Sequence, residues 1–172
     1  MTEPRFQATP PDALLRIELW AEPAAVSARC KAALGLDLPA DNRAVSVGDI
    51  RVIWREPMAW MARAPLDRRD ALAATLSAAV GPDGAVTDIS GAAVRCALSG
   101  PDWRSLLTHG GVFDAEDPAF APGCVAGTVV EHMAVRFDVL ADDAVDAYVA
   151  PSYAADLFAY WTAVARRLDV RG

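Results

Sequence analysis

Leu15-Arg16-Ile17-Glu18-Leu19 alternates apolar and charged side chains and runs into a helix that opens on Pro23. About 79 residues later, Val94-Arg95-Cys96-Ala97-Leu98 alternates in the same way, ahead of a helix that opens on Pro101. A second correspondence follows. Ile50-Arg51-Val52-Ile53-Trp54 begins a two-strand passage that ends in Ala64-Pro65 and enters a helix. Val135-Arg136-Phe137-Asp138-Val139 begins another, which ends in Ala150-Pro151 and enters a helix. One supersecondary unit written twice predicts a pseudo-symmetric α+β fold. The offset drifts to about 86 residues at the second helices, so the repeat is inexact.

Outward from these strands, the first helix closes at Gly35, with Val26, Cys30, Ala33 and Leu34 on one stripe. Asp37–Arg43 reads as a loop. Strands at Ile50–Trp54 and Trp60–Arg63 flank a turn at Arg55–Ala59. The helix after Pro65 carries Leu72, Leu76, Ala79 and Val80 inward and stops at Gly81-Pro82. A short strand follows at Ala85–Ile89. The order strand-helix-strand-strand-helix-strand is the ferredoxin-like unit. In the second half, Ser99-Gly100-Pro101-Asp102 starts a helix with Trp103, Leu106 and Leu107 inward, and His109-Gly110-Gly111 ends it. The loop Val112–Val125 holds Pro118 and Pro122, and its length marks it as functional or contact-making. Strands are expected near Thr128–His132, Val135–Leu140 and Ala147–Val149, with a turn at Asp142-Asp143. The last helix starts at Ser152 as N-cap, with Tyr153, Leu157, Tyr160, Trp161, Val164 and Leu168 on its apolar stripe. Residues 1–12, polar and with Pro4, Pro10 and Pro11, read as a flexible lead-in. Residues 13–172 read as a single domain of two halves, about 13–90 and 91–172.

The composition narrows the function classes. A hydrophobic fraction of 53% supports a packed core. A formal charge of −7 with scattered arginines argues against nucleic acid and against an anionic membrane surface. Cys30, Cys96 and Cys124 are far apart and form no CxxC, as expected of reduced thiols in a cytoplasmic protein. Met1-Thr2-Glu3-Pro4 opens no signal peptide. No apolar run approaches the ~20 residues of a membrane span.

Several short motifs, in order, carry a family likeness. They are Val86-Thr87-Asp88-Ile89-Ser90, Leu98-Ser99-Gly100-Pro101, Phe113-Asp114, Pro118-Ala119-Phe120-Ala121-Pro122-Gly123 and Pro151-Ser152-Tyr153-Ala154. In the first half, Ile53-Trp54, Glu56-Pro57 and Trp60-Met61 look like a tryptophan-containing strand-turn-strand of the same family. From about Ile50 to Leu168 the chain resembles the gamma subunit of heterotetrameric sarcosine oxidase. That subunit is similar to the folate-binding aminomethyltransferase domain, the T-protein of the glycine cleavage system. The chain departs from the family pattern at Gly110-Gly111-Val112 and in the acidic Asp114-Ala115-Glu116-Asp117.

The resemblance implies duplicated ferredoxin-like halves and a non-catalytic accessory subunit. The parent complex would demethylate sarcosine, or a related N-methyl amino acid, by oxidation. FAD, FMN, NAD, tetrahydrofolate and zinc would reside in other subunits, and the partners would be alpha, beta and delta subunits. The alternative is a free-standing folate-binding aminomethyltransferase-like domain. Transferases carry a further domain where this chain ends, which favours the subunit.

The residues themselves supply no catalytic constellation and no metal motif, and the cofactor-binding residues are unknown. His109 in a last helical turn reads as a cap or surface residue, and His132 as a half-buried strand residue. Cys96 faces inward as an inert thiol, and Cys124 is the more exposed one. Asp114-Glu116-Asp117 and Asp142-Asp143-Asp146 lack the calcium-loop pattern and read as solvated turns. Asp88 is expected to face away from the core. Trp54, Trp60, Trp103 and Trp161 read as core or core-edge, and a subunit would be expected to expose Trp20 or Trp60.

Overall fold

The computed structural model describes residues 5–100, 102–109, 111 and 113–169. The chain separates into two units. One spans Pro11–Gly91; the other takes the residues up to Pro10 together with those from Ala92 on.

In the Pro11–Gly91 unit, β2 (Asp12–Leu19) is followed by α1 (Pro23–Leu34), β3 (Ala44–Val47), β4 (Ile50–Glu56), β5 (Ala59–Pro65), α2 (Arg69–Val80) and β6 (Gly84–Asp88). The sheet order is β3-β4-β5-β2-β6, with every neighbouring pair antiparallel. β2 and β4 both run against β5, which lies between them, so β2-α1-β4 is a split βαβ crossover. Local chemistry sets the ends of α1. Pro23 sits in its first turn, where a missing N–H is harmless. Gly35 turns left-handed at φ 77° and returns its N–H to the Lys31 carbonyl. Alternation then builds the core. Leu15, Ile17 and Leu19 of β2 pack with Val52, Trp60 and Ala62 against Val26 and Cys30 of α1 and Leu72, Leu76 and Val80 of α2. Ala33, expected on the α1 stripe, is exposed. β3 lies where no strand was expected. It is a short edge strand joined to β4 through Gly48-Asp49, and Val47 remains 43% exposed, so little burial marked it in the sequence.

The other unit contains β1 (Arg5–Ala8), β7 (Val94–Ser99), α3 (Trp103–Thr108), β8 (Val125–Val130), β9 (Met133–Ala141), β10 (Ala144–Val149) and α4 (Ala154–Asp169). Its sheet order is β1-β7-β10-β9-β8, again antiparallel throughout. The two orders match element for element. β7 stands where β2 does, β10 where β5 does, and β8 is an edge strand like β3. The difference lies in the last position. In the first unit the strand after the second helix, β6, fills it; here β1 does, although it comes from the start of the chain. Arg5–Ala8 is therefore a strand and not a loose lead-in. Phe6 ties it down, packing at 5.9 Å ring separation from both Phe158 and Trp161 of α4.

The core of this unit gathers Trp103, Leu106 and Leu107 of α3, Val135, Phe137 and Val139 of β9, and Leu157, Trp161 and Val164 of α4. Each such side chain contributes roughly 1.5–3 kcal/mol on burial, so the stripe and not intrinsic propensity holds α4. Ser152 does not cap α4. It lies inside a 3-10 turn, Pro151–Tyr153, that precedes the helix. Pro101, Gly110 and Val112, which carry part of the expected helix boundaries and of the departure from the family pattern, lie outside the described residues.

The Phe113–Cys124 loop folds onto its own unit. Ala115 and Phe120 are buried, and Phe113 stacks on Phe137 at 5.5 Å. The guanidinium of Arg104 lies 4.4 Å from the Trp103 ring and donates to the carbonyls of Ala115 (2.6 Å) and Phe120 (2.9 Å). The loop thus walls the core with Ala115 and Phe120, while Glu116, Asp117, Pro118 and Ala119 stay exposed on its outer side.

Candidate functional site

The residues singled out from sequence do not converge. His109 ends α3 as an exposed residue, its Nδ1 2.7 Å from the Ser105 carbonyl. His132 is not a half-buried strand residue. With Glu131 at φ 55° it forms the β8–β9 turn, exposed, its ring edge-on to Tyr153 at 5.8 Å. The turn could not be seen in sequence because Glu-His carries none of the usual turn residues.

Cys96 is fully buried, and burial, reinforced by the nearby Asp146 carboxylate, pushes its thiol up to about 12. Burial likewise raises Cys30. Both are poor nucleophiles on that account. Cys124 is the partly exposed thiol. Asp88 is exposed at the end of β6. Its carboxylate accepts from the Ser90 hydroxyl at 2.5 Å and from the Ser90 N–H at 2.9 Å, which holds it below the usual carboxylate range. Among the described residues no three His, Cys, Asp or Glu side chains are grouped to hold a metal ion.

Sequence reading missed the charged faces of the two sheets. In the unit containing β7–β10, Cys96, Phe137 and Ala147 point to the helices, so Arg95, Arg136, Asp138, Asp146 and Tyr148 lie on the opposite face. Asp146 was expected in a solvated turn; instead it is fully buried in β10, directly across from the equally buried Asp138. The Arg95 guanidinium, 3.3 Å from Asp146, is one of the groups that make this burial tolerable. Gly127 lies opposite Arg136 in β8, and a β-carbon there would stand in ordinary van der Waals contact with the guanidinium, 3.7 Å from Nη2.

In the Pro11–Gly91 unit the face opposite the helices carries Arg16, Arg51, Arg55 and Arg63 between Leu14, Ile53 and Met61. Arg16 donates to Glu18 (2.7 Å) and Glu56 (2.8 Å), and the Glu18 hydrogen bond raises its pKa. Arg51 donates to the Ser46 hydroxyl, and Arg63 lies 4.0 Å from Asp12. The signal was present in the sequence: Arg51 and Arg55, Arg63 and Arg16 all fall on the parity opposite to Val52, Trp60, Ala62 and Ile17.

One end of this unit is exposed. Trp20, just past β2, is 67% exposed, whereas Trp60 is buried with its indole N–H on the Pro39 carbonyl. The Trp20 indole N–H donates to the Pro82 carbonyl at 2.9 Å, and its backbone N–H to Asp83. The adjoining β4–β5 tip, Pro57-Met58, is held by the Leu19 N–H on the Met58 carbonyl.

Comparison with known proteins gives a consistent pattern. A model of the family described as "Sarcosine oxidase, gamma subunit family" matches residues 19–167. No curated protein is similar in sequence at a significant level. Heterotetrameric sarcosine oxidase from Corynebacterium sp. U-96, solved with pyrrole 2-carboxylate, contains a chain that superimposes with a TM-score of 0.84 at 20% identity, covering 95% of this chain and 84% of that one. Glycine cleavage system aminomethyltransferase T from Bartonella henselae superimposes with a TM-score of 0.69 at 14% identity, over 92% of this chain and 45% of that one. At these identities the superpositions establish the fold, which is the α+β arrangement of duplicated halves.

Proposed function

Since the chain belongs to the sarcosine oxidase gamma subunit family, we propose that it works as a non-catalytic accessory subunit of a sarcosine oxidase-like complex. The observation that carries this reading is the family match over residues 19–167. The chemistry agrees with it. The buried thiols are held protonated, the two histidines sit apart on exposed turns, and the conspicuous charges are spent on sheet faces rather than gathered at a reactive group.

On this reading the complex oxidises the N-methyl group of sarcosine or a related N-methyl amino acid. The redox cofactors FAD, FMN and NAD, together with tetrahydrofolate and zinc, are held by alpha, beta and delta partners. The complex works in the cytoplasm. No described helix is long and apolar enough to cross a membrane.

The test is isolation of the tagged chain from its source cell under gentle conditions. Larger partners with flavin absorbance, and sarcosine-dependent oxygen or dye reduction by the isolate, are expected. Recovery of the chain alone would refute the reading. Titration with tetrahydrofolate distinguishes the free-standing folate-binding alternative: saturable binding by the lone chain would favour that alternative.

A further inference from the structure

We propose that the Trp20 end of the Pro11–Gly91 unit docks this chain onto a larger subunit, with Trp20 in an apolar socket and a partner carboxylate on Arg55. The proposal rests on the accessory-subunit reading above and adds to it the place and the chemistry of the contact.

Trp20 has the properties of a preformed anchor. Its ring is 67% exposed; the carbonyl of the exposed Pro82 takes its indole N–H, and the exposed Pro57 and partly buried Met58 form the β4–β5 tip that is bonded to the preceding Leu19. Its polar atom is already satisfied within the chain, by the Pro82 carbonyl, so covering the ring strands no donor. Its backbone is fixed on both sides, through Leu19 to Met58 and through Trp20 to Asp83, so little freedom remains to be lost on binding. The rim is charged, with Arg29 on Asp83 at 2.5 Å and Arg16 on Glu18 and Glu56. An apolar aromatic centre inside a polar rim is the anatomy of a hot spot.

Arg55 supplies the chemistry of the partner. The register of β4 on β5 slips between Trp54 and Glu56, so Arg55 is the extra residue of a bulge. Its Nη1 meets only the thioether of Met61, at 3.7 Å, and the Glu56 carboxylate beside it is bonded to Arg16. Among the described residues Arg55 has no carboxylate within ion-pair distance. Burial, with Arg16 nearby, lowers its pKa, and Glu56, already bonded to Arg16, offsets this only in part, so the cation is partly desolvated and lacks an ion pair of its own. An incoming carboxylate would complete it; an incoming cation would not. The chain's net charge of −7 gives no general attraction for an acidic surface, which makes the contact a local, specific one.

The experiment uses the assembled complex, produced by co-expressing the chain with the flavin-containing partners that the unaltered chain recovers. Trp20→Ala and Arg55→Glu should each weaken assembly at least about 30-fold, the effect of a hot-spot truncation. Arg55→Lys should retain most of it. Leu66→Ala, an exposed apolar residue of the same unit, should stay within threefold. Melting curves of the lone variants separate lost docking from lost folding. Radical footprinting of the unaltered complex gives a second readout, since oxidation of Trp20 should fall about tenfold on assembly. If Trp20→Ala and Arg55→Glu assemble like the unaltered chain, or Trp20 stays as reactive in the complex, the docking proposal is wrong and the accessory-subunit reading stands. If the unaltered chain recovers no flavin-containing partner, both fall.

Discussion

Replacing Phe6 by alanine tests whether a strand from the start of the chain completes the second unit. β1 has one apolar side chain aimed at that core, and it lies edge-on to Trp161 and tilted on Phe158. Truncating a fully buried phenylalanine costs about 3–5 kcal/mol. Phe6 is half-buried, so roughly half that range, ~2 kcal/mol including its ring contacts, is the expected loss. The loss should be local. β1 is an edge strand, and its detachment exposes the backbone of β7 along Cys96–Ser99. Native-state hydrogen exchange reads this directly. The β7 amides bonded to β1 should exchange about 30-fold faster, since ~1.4 kcal/mol is a factor of ten. Amides of β2 and β5, which belong to the other sheet, should keep their local protection. Gln7→Ala, exposed in the same strand, should change stability by no more than ~0.5 kcal/mol. A Phe6→Ala loss below ~0.5 kcal/mol, or unchanged exchange in β7, would refute the account of β1 as the strand that finishes this sheet.

Three further outcomes follow from the geometry. Stability should fall with pH from about 9, where an exposed thiol ionises, Cys96 contributing a slope of up to ~1.4 kcal/mol per unit until about 12, where it ionises in the fold; Cys96→Ala should make the slope shallower in urea titrations at pH 8 to 11, leaving the share of the likewise raised Cys30. The raised value means the protonated thiol belongs to the folded state, so this contribution is complete below pH 9. Trp103→Phe should cost more than Trp161→Phe by about 1 kcal/mol in denaturant unfolding. Both rings are fully buried, but the Trp103 N–H donates to the Asp142 carbonyl at 2.9 Å while the Trp161 N–H has no partner among the described residues. Gly84→Ala should destabilise by ~3 kcal/mol or more, because the added carbon would stand 2.2 Å from the Glu18 carbonyl oxygen; a melting temperature unchanged from that of the parent chain would show that β6 can shift to make room.

Much of the fold was legible. Stripes in α2 and α4 and alternation in β2, β7 and β9 are local signals, because the side chains that report them repeat at the period of the element that carries them. Strongly periodic segments accordingly appeared close to their true positions, as Arg69–Val80 and Val94–Ser99 show. The candidate site was less legible. Asp146 follows Asp142 and Asp143 in sequence and shares their chemistry, yet it is buried and they lie in a turn. What separates them is strand parity within β10 and the neighbouring Arg95, and neither acts until the sheet is assembled. Trp20 and Trp60 differ because Trp60 lies on the helix-facing side of β5, within the core, whereas Trp20 lies past the end of β2, where neither strand nor helix covers it.

The sequence by itself determined the two-fold repetition of the supersecondary unit, the inward stripes and the family, because these depend on residue order and on short-range periodicity. The tertiary structure alone decided that Arg5–Ala8 fills the last place of the second sheet, that Asp138 and Asp146 face each other in the interior, and that Trp20 is left uncovered. Strand pairing joins backbone groups that carry no residue-specific label, so a four-residue strand finds its neighbour only when an open sheet edge and an apolar seat for Phe6 exist together.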